Sequence, residues 1–200
     1  MRVTRSLTSA VVCAGCMLAL LAGCAKAPDA ELAAAKAAVQ AARDAEADKY
    51  MPNNFQNVEK ALAAAQEEVA KQESALFLSR NYTKAKQLLR NTTDLATQIT
   101  AEAPAAKAQM REQVESGLAS AKQLTEETRG DIKRAPKSKG KNVIAQMGKD
   151  LDAAESALAQ ASSDFSAGNI IEAGKNLAAG QRLLKKIFDQ LSTAGEEKLM

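Results

Sequence analysis

The residue with the most specific chemistry is Cys24, preceded by Leu21, Ala22 and Gly23. Small residues directly before a cysteine, with leucine at the third position back, suit a signal peptidase that cuts in front of an acylated thiol. Cys13 and Cys16 lie upstream of that cut, so Cys24 is the only cysteine expected in the mature chain. A disulfide framework is thereby excluded, although an exported chain could have carried one. The sequence has no histidine and no tryptophan. That removes Ser-His-Asp and Cys-His nucleophilic sites and the usual zinc and haem ligand sets. Paired carboxylates remain, since glycoside hydrolysis needs two of them flanking a bond. Glu67 with Glu68, Glu126 with Glu127, and Asp150 with Asp152 are the candidates. On alanine-rich helices they read as solvated surface. No glycine-rich phosphate loop is present, and no catalytic residue, metal site or cofactor is expected.

The strongest charge feature is a loop expected between Arg129 and Lys141. Arg129, Lys133, Arg134, Lys137, Lys139 and Lys141 oppose Asp131 alone, for a local net charge of +5. Two readings stand. One is contact with an anionic surface such as phospholipid headgroups, lipopolysaccharide phosphates or peptidoglycan, at up to ~1 kcal/mol per charge near a membrane. The other is a solvated, flexible connection flanked by helix-end lysines. Globally the chain carries 27 basic and 24 acidic residues, and removal of Arg2 and Arg5 leaves a mature net charge of +1. Nucleic acid is not an expected partner, because that needs a basic face or stripe.

These groups require elements to position them, and the first is an address. Arg2 and Arg5 precede an apolar run from about Leu7 to Leu20, interrupted by Gly15. That run is short for a membrane span, which wants ~20 residues. With Leu21-Ala22-Gly23-Cys24 it matches the lipobox of bacterial lipoproteins, so residues 1–23 are expected to be removed. The Cys24 thiol would then carry a diacylglyceryl group and its amine a third chain. At ~0.8 kcal/mol per buried CH₂, two or three chains anchor stably where one does not. Ala25 stands where an aspartate would retain the protein at the inner membrane. The expected location is therefore the outer membrane, facing the periplasm, or the outer face of the cytoplasmic membrane where a cell has only one. Residues 24–29 form a tether whose five residues after the cysteine span at most ~17 Å.

The remainder is rich in alanine and poor in aromatic residues, at 3%. Alanine is the best helix former but buries little area, so long helices around a thin core are expected. Leu32, Ala35, Val39 and Ala42 make a narrow apolar stripe, broken at Met51-Pro52-Asn53-Asn54. A heptad seam follows at Phe55, Val58, Leu62, Ala65, Val69, Gln72 and Leu76. Ser79-Arg80-Asn81 predicts a short turn, with Asn81 capping a helix that carries Tyr82, Ala85, Leu89, Thr92, Ala96, Ile99 and Ala103. The second half repeats this plan. A helix from Pro104 to about Thr128 uses Met110, Val114, Leu118, Ala121 and Leu124. Seams then run from Ile144 to Phe165 and from Ile170 to Leu191, joined at Ser166-Ala167-Gly168-Asn169. Asn81 aligns with Asn169, Phe77 with Phe165 and Ile99 with Ile187. Thr92, Gln72 and Gly180 interrupt these seams, and such positions set register or leave a groove for a partner helix.

The run Tyr50-Met51-Pro52, Phe55, Leu62, Ala65, Asn81-Tyr82 and Ala85 resembles an uncharacterised family of alanine-rich bacterial envelope lipoproteins, catalogued only as a domain of unknown function. Arg80-Asn81-Tyr82 stands where that family has Gly-Asp-Tyr, and the turn is similar also to half of a tetratricopeptide repeat. The resemblance covers residues 30–103 and implies an envelope lipoprotein without naming an activity. Lys198 is not terminal, which argues against wall attachment through a C-terminal lysine.

The expected architecture is all-α, with two tandem antiparallel three-helix units, at 30–103 and 104–195, and a tail at 196–200. The expected function is a non-enzymatic, membrane-anchored helical scaffold or adaptor for another envelope protein. The alternative is a structural spacer contacting anionic lipid, lipopolysaccharide or peptidoglycan through the basic loop. The adaptor requires an apolar groove left open by internal packing, and the spacer a closed bundle with only charged surface.

Overall fold

Apolar residues spaced three and four apart, with alanine at many of them, allow helices to pack at close range over narrow stripes. The computed structural model describes residues 26–136 and 140–196, and within them the protein is all-α. Six α-helices follow one another: α1 Asp29–Asp44, α2 Ala47–Tyr50, α3 Pro52–Ser74, α4 Thr83–Arg134, α5 Lys141–Ser166 and α6 Ile170–Glu196. A 3₁₀ turn at Phe77–Ser79 lies between α3 and α4. The chain divides into two compact units between Pro104 and Ala105.

In the first unit α1, α3 and the N-terminal half of α4 run antiparallel around two layers of core. At one end Val39, Ala42, Phe55, Val58, Ala96, Ile99 and Ala103 cluster. At the other, Ala35, Ala65, Val69, Tyr82, Ala85 and Leu89 do so, with Ala27 and Leu32 packed against them. The start of α1 thus shares one end of the unit with the α3–α4 turn. Ion pairs between helix flanks follow the same order, Arg43 with Glu59 at 2.7 Å and Lys86 with Glu31 at 3.5 Å. Pro52 occupies the first turn of α3, where its missing N–H costs nothing. Glu46, at φ +62°, makes the left-handed step between α1 and α2.

The second unit is built from α4 beyond Ala105, α5 and α6. Met147, Leu151, Ala154, Leu184 and Ile187 form its core, with Ile132, Leu158 and Leu191 against it. Gly180 brings α6 close to α5: a Cβ there would lie 2.8 Å from Leu158 Cγ and 3.3 Å from the Ala154 carbonyl oxygen. Gly117 similarly lets α4 receive Leu177.

Three local expectations are corrected. The helix does not restart at Pro104; that residue lies inside α4, exposed and flanked by strong helix formers from Ala101 to Ala108. Leu76 leaves the α3 seam, because α3 ends at Ser74 and Leu76 is 83% exposed. Leu124 is 39% exposed rather than buried, and Thr125 and Thr128 take the buried face of α4 in its place. A straight helix drifts from a seven-residue repeat, so the stripe moves around it. The small threonines fill that narrow interface, with Thr125 Oγ1 donating to the Ala121 carbonyl at 2.7 Å.

Candidate functional site

Helix α4 runs on to Arg134, so the first half of the expected basic loop is helical. Arg129 is not free to reach an external anion. Its guanidinium donates to both carboxylate oxygens of Glu126, at 2.9 and 2.8 Å, and crosses to Glu155 on α5. Those carboxylates, Glu155 first and then Glu126, hold its pKa above the usual arginine value. Arg134 pairs with Asp131 at 2.6 Å. Lys133 is exposed in the last turn of α4, and Lys141 is exposed at the start of α5. Lys137 and Lys139 lie outside the described residues, as do Leu21, Ala22, Gly23 and Cys24. Of the four described basic residues, Arg129 is clamped, Arg134 is paired, and Lys133 and Lys141 are exposed charges.

The Arg129 clamp closes one end of a groove of about 490 Å³ between α4 and α5. Leu118, Ala119, Lys122 and Thr125 line it from α4, and Leu158, Ala159 and Ser162 from α5. Helix periodicity places these residues at three- and four-residue steps, so each helix contributes one strip of wall. Ala119, Ala159 and Ser162 are exposed and small, which leaves room for a helix backbone to come near. Sequence periodicity missed the groove because Leu118 and Leu158 sit in seams that promise full burial, whereas both are half-exposed.

The carboxylate pairs do not assemble into a reactive couple. Glu68 is buried, and Lys84 at 3.0 Å together with Gln72 holds its pKa below the usual range. Asp150 is buried too; Lys186 at 2.7 Å and Gln146 at 2.9 Å lower its pKa against the opposing effect of burial. Glu67, Glu127 and Asp152 face solvent, and Glu126 is held by Arg129. A general acid needs a raised pKa, and the two buried carboxylates move the opposite way. Among the described residues no cluster of potential metal ligands occurs, and no helix is long and apolar enough to cross a membrane.

Residues expected to break the seams have local roles. Thr92 is fully buried, and its hydroxyl donates to the Leu88 carbonyl of its own helix at 2.8 Å. It therefore fixes no register between helices. Gln72 bridges the α3–α4 turn, donating to Glu68 and accepting from the Asn81 amide at 2.9 Å. Asn81 in turn accepts from the Thr83 amide at 3.0 Å, one step outside the cap position that Tyr82 fills.

The sequence also gave no emphasis to the α3–α4 turn itself. Leu76, Phe77 and Leu78 are 83%, 63% and 85% exposed there. Their counterpart in the second unit, Phe165, is half-buried beneath Arg111, whose guanidinium carbon lies 5.0 Å from the ring centroid. Compared with known proteins, the chain matches no family model, no curated protein and no solved structure.

Proposed function

We propose that the protein is a non-enzymatic envelope lipoprotein, anchored through Cys24 and facing the periplasm of the outer membrane. Its helical units act as an adaptor for another envelope protein. The observation that carries this reading is the groove between α4 and α5, which internal packing leaves open. A lining of half-exposed leucines and small, exposed alanine and serine residues, with charged groups at one end, suits an amphipathic helix that lays its apolar face inward. The Arg129–Glu126–Glu155 clamp would orient such a helix and disfavour a wholly apolar one. The resemblance of residues 30–103 to alanine-rich envelope lipoproteins belongs to the same reading, as does the lipobox at Leu21-Ala22-Gly23-Cys24.

The test is affinity capture of natively acylated protein from cross-linked envelopes, followed by mass spectrometry. Cys24→Ala removes the anchor, and Ala119→Arg with Ala159→Arg fills the groove from exposed positions. The adaptor reading expects one protein recovered near stoichiometrically, and lost from the groove variant while acylation persists. Recovery of lipid or wall fragments alone, or of the same protein by the filled groove, refutes it.

A further inference from the structure

We infer that the Leu76-Phe77-Leu78 turn is a membrane-interface anchor that inserts into the same leaflet as the Cys24 acyl chains, an inference that rests on the lipoprotein reading above. The first observation is exposure. Three consecutive large apolar side chains stand in solvent at one end of the first unit, where scattered single residues are the norm.

The second observation is that several polar groups on both sides of the apolar tip are met internally. The Ser79 amide and hydroxyl both donate to the Leu76 carbonyl at 2.8 Å. Arg80 donates to the carbonyls of Ala75 and Glu73, at 3.1 and 2.7 Å, and so closes the end of α3. Asn81 and Thr83 amides are taken by Gln72 and Asn81. A turn with these backbone groups satisfied enters an apolar layer at far lower cost than an open one.

The third observation names the occupant. Ala27 packs onto the cluster of Val69 and Tyr82 that underlies this turn, and Pro28 is fully buried. Ala27 is the third residue after Cys24, a reach of ~10 Å at full extension. Interfacial elements sink ≈ 5–10 Å into the headgroup and acyl boundary. An acylated Cys24 therefore holds this end of the unit, turn included, against the bilayer. Of the cations near the turn, Lys84 pairs with Glu68 at 3.0 Å and Arg80 is held by the carbonyls of Ala75 and Glu73, so the apolar tip rather than net charge makes the contact with the bilayer. The second unit supplies an internal comparison: its equivalent turn, Ser166-Ala167-Gly168-Asn169, carries small and polar residues. Of two similar hairpins, the one beside the tether has the apolar tip.

The chain contains no tryptophan, so Phe77→Trp gives a single reporter in the full-length, natively acylated protein. Reconstitution uses vesicles of phosphatidylethanolamine and phosphatidylglycerol, with and without acyl-brominated lipid. The emission of Phe77→Trp should shift to the blue and be quenched several-fold more strongly than that of Asn54→Trp, about 30 Å away along α3. Leu76→Ser with Leu78→Ser, both on exposed positions, should abolish that quenching without loss of helical signal. Mass spectrometry of the N-terminal peptide separates the two claims. Acylated Cys24 with an unquenched Phe77→Trp overturns the insertion alone, and an unacylated Cys24 overturns both. A blue shift seen only in native envelopes and absent from pure lipid also overturns it, in favour of a protein partner.

Discussion

Replacing Gly180 by alanine should destabilise the second unit, even though alanine is the better helix former. A Cβ at this position would stand 2.8 Å from both Cγ and Cδ2 of Leu158, well inside ordinary van der Waals contact, and 3.3 Å from the Ala154 carbonyl oxygen. Leu158 cannot escape by rotating its far end, because Cγ itself is touched. The carbonyl belongs to the α5 backbone, so relief requires the helices to part or Leu158 to swing into the groove. Overpacking of this kind costs about 1–3 kcal/mol. Gly148, inside α5, supplies the reference, since a Cβ there meets nothing within 4 Å. Gly148→Ala should therefore stabilise by about 0.5–1 kcal/mol through backbone entropy alone. That gain is common to both substitutions and drops out of their difference, which isolates the clash at about 1–3 kcal/mol. Both positions lie in the same unit, so one urea transition followed by far-ultraviolet circular dichroism reports both, with unchanged slope as the check on cooperativity. If Gly180→Ala stabilises as much as Gly148→Ala, the close approach of α5 and α6 is wrong.

Thr92→Val should leave stability unchanged or raise it by up to about 1 kcal/mol, because the buried hydroxyl serves only a carbonyl of its own helix; thermal melts decide this. Asp150 has a folded pKa below its ordinary value, so its pairing with Lys186 stabilises above that ordinary pKa and is lost as pH falls through the lower folded one. Asp150→Asn should lower stability at neutral pH and flatten the loss below about pH 4, as measured by urea unfolding across the acid range. Neutralising Lys133 and Lys141 to glutamine should change vesicle binding of the acylated protein little at any salt concentration. A strong, salt-sensitive loss of binding would instead favour the spacer reading.

The seams were legible because their period is a property of the chain alone: Val58, Ala65, Leu89, Met147 and Leu184 are buried where a helix must bury them. The matching of Asn81 with Asn169 likewise located two helix starts that the structure places within two residues. What periodicity could not supply is where a helix stops and what a seam residue meets. Pro104 was expected to open a helix, yet alanines on both sides carry α4 through it, and tertiary context outweighs one lost hydrogen bond. Leu76 continues the heptad count beyond Ser74, but the Arg80 side chain takes the terminal carbonyls and ends the helix first. The groove depends on Arg129 reaching Glu155 across 26 residues of sequence, and no local pattern encodes such a pairing. Of the basic residues, composition gave the charges correctly but not their partners.

Eight residues join the end of α3 at Ser74 to the start of α4 at Thr83, against three between Ser166 and Ile170, although the seams within the helices keep their spacing. The helix faces are thus specified separately from the length of the connection between them. Adding or removing a single residue at such a joint changes loop-closure entropy very little. It leaves every core position on its original face. In this architecture the tips are modular: a hairpin can gain or lose an apolar end, and with it a preferred neighbour, without any compensating change in the packed interior.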